Sequence, residues 1–147
     1  MVQELTKIAN EEKKKYLRSY RESVRRVNRI ESELQEIRSM KNGISSSYDG
    51  MPHGQGGQDL SGYIVRLDSL ERELLHERYR RIAIYEKILK QINRLKDENE
   101  RDVLFYRYIK GLKWYEIAEK MIYSERHVVR LHGEALCHFN KDVIECQ

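Results

Sequence analysis

Arg126 and Arg130 stand four residues apart, one turn on a helix, with Glu125, His127 and Val129 beside them. A guanidinium fork can donate two parallel hydrogen bonds to the major-groove acceptors of guanine, a contact that discriminates by roughly 1–3 kcal/mol. Val129 offers methyl groups suited to thymine, His127 can reach a phosphate or a base edge, and Glu125 can tune the choice. Lys113, further back, suits a backbone phosphate. Together these residue types form a reader of double-stranded DNA, provided that they lie at the start of a helix entering the groove.

Other chemistry finds less support. His127, His132, His138 and Cys137 invite a zinc reading, but they point several ways around one helix and lack paired-ligand spacing. The glycine-rich stretch Asn42 to Gln58 invites a phosphate-loop reading, yet no Gly-Lys-Ser/Thr follows it and no strand precedes it. The chain has no HExxH, no nucleophile elbow and no carboxylate pair in a glycine-bounded cleft. No enzyme activity, no metal and no cofactor is therefore expected. Trp114 and the tyrosines Tyr106, Tyr108 and Tyr123 read as core or core edge, with Tyr115 the most exposed of the group.

The elements that would position the reader follow from spacing. Asp97 or Asn99 caps a helix whose apolar side is Val103, Leu104, Phe105, Tyr106 and Tyr108, and Gly111 stops it. A short helix from about Lys113 to Met121 carries Trp114, Ile117, Ala118 and Met121 at three- and four-residue spacing. Ile122 and Tyr123 form a turn, and Ser124 caps the next helix, Glu125 to about Phe139. The inward stripe of that helix is Val128, Leu131, Ala135, Leu136 and Phe139. Glu125, Arg126, Val129, Arg130 and Gly133 are left facing out.

Glu100 to Phe139 resembles region 4 of bacterial sigma-70 factors in its framework residues Trp114, Ile117, Ala118, Val128, Leu131, Ala135 and Leu136. The phrase WYEIAEKMIYSERHVVRLHGEAL is closer still to a phage and prophage family, similar to the ArpU and RinA groups of late transcription regulators. Members of that family carry a long helical N-terminal part, often with an MP-x-G loop, here Met51-Pro52-His53-Gly54. The resemblance implies a small phage-encoded, DNA-binding regulator of transcription with a helix-turn-helix. It departs from complete sigma factors, because Met1 to Asp97 has no counterpart of the region that opens promoter DNA. At the base-reading positions it gives Glu125, Arg126 and Arg130, residue types that differ in part from those of sigma factors.

The whole chain, at 35% charged residues with a single proline, favours long exposed helices over a thick core. Leu17, Tyr20, Val24, Val27, Leu34 and Ile37 form one stripe, interrupted at Glu31. Leu60, Ile64, Leu67, Leu70, Leu74, Ile88, Ile92 and Leu95 form a second, disturbed at Arg78 to Arg81. Neither helix would hold alone with its stripe in water. The two are expected to fold back on each other, and to pair with a second copy as a homodimer.

Charge is unevenly shared along the chain. Residues 98–147 hold 8 basic and 9 acidic side chains, although the whole chain is net +4. Phosphate neutralisation supplies most non-specific affinity. The reader alone should then bind weakly, and RNA polymerase, a second copy or the basic helices would add to the grip.

The fold expected is all-α: a long antiparallel, coiled-coil-like helical hairpin over 1–97 with a flexible loop at 42–59. A sigma region 4-like helix-turn-helix domain follows at 98–140, then a tail at 141–147. No apolar run approaches the ~20 residues of a membrane span, no signal peptide is visible, and Cys137 and Cys146 fit a reduced compartment. The expected place of action is the cytoplasm of a bacterial host. The expected function is sequence-specific regulation of phage or prophage transcription with RNA polymerase. A small-terminase-like DNA-packaging subunit and a protein-only coiled-coil adaptor are the alternatives.

Overall fold

A computed structural model describes the backbone of residues 1–45 and 56–140, and side chains over 1–41 and 60–140. Every regular element among them is helical, so the all-α class expected from the sequence is the one found. The order is α1 (Val2–Ser45), α2 (Gly56–Asn93), α3 (Glu98–Leu104), α4 (Trp114–Met121) and α5 (Glu125–His138), with α3 continuing into a π-helical turn, Phe105–Ile109. None of the described helices is long and apolar enough to cross a membrane.

Both long helices reach into the break expected at 42–59. Asn42–Ser45 complete α1 and Gly56–Asp59 open α2. Once a helix has nucleated, each further residue adds a backbone bond, so an interior glycine costs only about 1 kcal/mol against alanine. The centre of the expected loop, 46–55, lies outside the described residues, as does the expected tail 141–147 with Cys146.

Two compact units are present, Ser23–Arg81 and Met1–Glu22 together with everything from Ile82 onward. In the first, Val27, Ile30 and Leu34 of α1 close on Leu70 and Leu74 of α2, flanked by the partly buried Ile37 and Leu67. Ion pairs flank this seam: Arg26–Glu77 at 3.4 Å, Glu31–Arg78 at 2.7 Å, Glu33–Arg66 at 3.3 Å and Arg38–Glu71 at 3.0 Å. The last three of these pairs are exposed and contribute about 0–1 kcal/mol each, while Arg26–Glu77 is the more buried one. A fully buried leucine or isoleucine contributes about 1.5–3 kcal/mol, so the apolar seam does most of the stabilising.

Two details depart from the expected stripes. Glu31 does not interrupt the seam, because Ile30 takes the inward place while Glu31 turns out to Arg78. Leu60 and Ile64, expected inside, are 49% and 56% exposed, since apolar packing fades at Ile37 and Leu67.

In the second unit, α1 packs with the end of α2 and the C-terminal helices through Lys13 to Tyr20, whereas the sequence suggested a division at 97/98. Leu17 and Tyr20 are buried there. The Tyr16 hydroxyl donates to Gln91 Oε1 at 2.6 Å, and its ring lies 6.3 Å from that of Phe139. Lys13 Nζ donates to the Leu136 carbonyl near the end of α5 at 2.7 Å. These bonds join positions far apart in the chain, and no local pattern announces them.

Candidate nucleic-acid interface

Asp97 opens α3 by accepting the Glu100 N–H at 3.2 Å. The buried Glu100 carboxylate in turn accepts from His138 Nδ1 at 2.8 Å, tying the start of α3 to the end of α5. The π-helical turn then widens the helix, with the Lys110 N–H reaching back five residues to Phe105 O at 3.1 Å. Tyr108 and Ile109, at the end of that turn, are both buried. Gly111, at φ +70°, ends the helix as expected.

In α4 the buried residues are Ile117 and Ala118. Its cap is one half of a capping box: the Glu116 carboxylate accepts the Lys113 backbone N–H at 2.7 Å, while the lysine side chain is exposed and has no lone pair to return the bond. The connection to α5 turns at Ile122, which adopts φ 58°, ψ 46°, and the Tyr123 N–H closes back on Ala118 O at 3.1 Å. Ser124 caps α5, its hydroxyl accepting the His127 N–H at 3.2 Å. Val128, Leu131, Ala135, Leu136 and Phe139 are buried, so the expected inward stripe is the one found.

With those residues inside, Glu125, Arg126, Val129 and Arg130 face solvent along the first turns of α5, and Val129 is 47% exposed. Arg130 Nη2 donates to His127 Nδ1 at 2.8 Å, and Arg130 Nε stands 3.8 Å from Glu134. Arginine has no acceptor, so His127 Nδ1 must be unprotonated in this contact. The His127 ring also meets the edge of Tyr123 at 4.5 Å, and Asn99 Nδ2 donates to the Tyr123 hydroxyl at 3.4 Å. His127 is thus half-buried as a spacer between Tyr123 and Arg130 as well as a neighbour of the outward surface.

His132 and His138, part of the zinc reading, have separate partners. His132 Nε2 is hydrogen-bonded to the Tyr108 hydroxyl at 2.7 Å, with Trp114 edge-on at 4.8 Å. Burial, helped by the nearby cations Lys14, Arg107 and Arg18, pushes His132 down to about 4. Burial likewise pushes Tyr108 up to about 12, so both partners are neutral near pH 7. Among the described residues no group of three His, Cys, Asp or Glu side chains could hold a metal ion.

Sequence reading missed two arginines that bond the backbone leading into α4. Arg107 lies over the Trp114 ring at 4.2 Å and donates to Leu112 O at 2.9 Å, and Arg21 of α1 donates to Ile109 O at 3.4 Å. An Arg seven residues before a Trp is a weak signal in the sequence, and Arg21 gives none. No protein-family model, curated protein or solved structure matches this chain.

Proposed function

We propose that the chain is a sequence-specific, double-stranded-DNA-binding regulator of phage or prophage transcription that acts with RNA polymerase in a bacterial host. In this reading α4 and α5 form a sigma region 4-like helix-turn-helix, and α1 with α2 forms an antiparallel, coiled-coil-like hairpin. The ion pairs of the first unit support the hairpin, since rising numbers in α1 (Arg26, Arg38) meet falling numbers in α2 (Glu77, Glu71). Leu75 and Tyr79, one turn apart and 56% and 67% exposed, offer a face through which a second copy could pair.

The observation that carries the reading is the Ser124-capped start of α5. It presents Arg126, Val129 and Arg130 outward while Val128 and Leu131 anchor the helix from behind. Arg126 and Arg130 read bases, Glu125 and His127 tune the choice, and Lys113 holds a phosphate. The test is selection of bound duplexes from a random DNA pool, with and without bacterial RNA polymerase. Enrichment of a defined motif in either arm supports the reading, and a requirement for polymerase identifies the partner.

A second reading has an observation of its own. Ile122 is 88% exposed at the turn, close in sequence to Tyr123 and Val129, which are 39% and 47% exposed. Such apolar exposure also suits a protein-docking adaptor, for which replacing Arg126 and Arg130 would leave activity intact.

A further inference from the structure

We infer that Arg21 of α1 extends the duplex interface: with Lys110 and Lys113 it grips the DNA phosphate backbone at the loop Ile109–Lys113. The inference rests on the DNA-binding function proposed above and adds a contact from outside the C-terminal helices. Arg21 commits one N–H to the loop, Nη1 to Ile109 O at 3.4 Å, a distance at the weak end for such a bond. Its guanidinium fills the space that a side chain at Gly111 would need. A Cβ built there would lie 2.7 Å from Arg21 Nε and 2.8 Å from Cζ. The glycine therefore does two things: it supplies the positive φ that ends the helix, and it leaves room for a cation against bare backbone.

From the π-helical turn just before the loop, Arg107 donates to Leu112 O at 2.9 Å and stacks on Trp114. Lys110 and Lys113 are exposed on the same five residues of backbone. Four cations thus lie on or against one short loop, and the nearby Glu116 carboxylate is engaged by the Lys113 N–H. A guanidinium has five donors, and Arg21 spends one of them, weakly, on a carbonyl. Cations gathered this way suit a ligand with closely spaced negative charges, and duplex DNA carries one per ~1.7 Å of axis. The loop leads straight into α4, whose N-terminal end is where a helix-turn-helix meets the backbone.

The test measures binding of a labelled duplex to the full chain by anisotropy across a salt series, for the unaltered protein, Arg21→Gln and Lys13→Gln. Lys13 is the matched comparison, because it too is an α1 cation donating to a carbonyl, that of Leu136 near the far end of α5. Arg21→Gln is expected to flatten the slope of log K against log salt by about 0.9, one phosphate contact, with the preferred sequence unchanged. Lys13→Gln is expected to leave that slope alone. Should Arg21→Gln fail to fold, Lys110→Gln, on an exposed side chain, carries the same expectation. An unchanged slope in the loop variants overturns the inference while leaving DNA binding in place. An unaltered protein with no salt-dependent binding, either alone or with RNA polymerase present, overturns the DNA reading itself, and this contact with it.

Discussion

Arg130 donates to His127 Nδ1 at 2.8 Å, one turn back on α5, so one proposed base reader is held by another residue of the same surface. Glu134, one turn on, stands 3.8 Å from the same guanidinium and competes with any nucleic-acid acceptor. Glu134→Gln should tighten duplex binding about two- to fivefold, the equivalent of an exposed ion pair released and a like charge removed. His127→Ala should change the selected sequence at the position that Arg130 reads, because the guanidinium loses the partner that aims it. Binding titrations and a repeated selection check both, and unaltered affinity and motif would show that the three residues are not coupled to DNA.

The buried Tyr108–His132 pair makes stability sensitive to acid. The His132 pKa falls from its ordinary 6.5 to about 4 on folding, so the unfolded chain takes up the proton first. The stabilising effect is therefore complete above about pH 6.5 and is lost as pH falls toward 4. By pH 5 the loss should be on the order of 2 kcal/mol. Urea unfolding at pH 7.5 and pH 5 measures it. In His132→Leu the drop over that window should vanish, at a cost of about 1–3 kcal/mol at pH 7.5 from the stranded Tyr108 hydroxyl.

Ile122 is a β-branched residue held at φ 58° and almost fully exposed, a conformation that costs about 1–2 kcal/mol outside glycine. Relief of that strain outweighs the chain entropy added by glycine, so Ile122→Gly should raise stability by roughly 0.5–1 kcal/mol. Thermal melts decide. A loss of stability would show that the side chain makes contacts worth more than the strain. If DNA binding weakens while the fold gains stability, the exposed isoleucine belongs to the interface.

Gly111→Ala should do the opposite. Its φ of +70° disfavours any side chain, and the new methyl would displace Arg21. A loss of about 1–2 kcal/mol is expected in denaturant unfolding, and a change near zero would mean that the loop relaxes freely.

Much of the C-terminal unit was legible because its rules are local. Ser124 is a cap read from residue type, as is Asp97 once chosen over Asn99, Gly111 is a stop, and Val128, Leu131, Ala135 and Leu136 mark one face by spacing alone. The π-helical turn was hidden, since one extra residue in a helix leaves no signature among Phe105 to Ile109. Long-range choices were equally silent. Arg21 against Gly111, and Lys13 against Leu136, depend on which part of α1 packs on which helix. The same holds for Leu60 and Ile64, which have the right period for burial but no apolar cover. In the outward face of α5 the residue types were readable, but the hydrogen bond between His127 and Arg130 depends on rotamers.

The most direct test compares duplexes selected from a random pool by the intact chain and by the Arg126→Ala, Arg130→Ala double variant, with RNA polymerase present in both. Base reading by the start of α5 predicts a defined motif for the intact protein and a lost or relaxed one for the variant, with the helical fold retained by circular dichroism. The same motif at the same affinity from both would contradict it, and would place sequence recognition elsewhere in the complex.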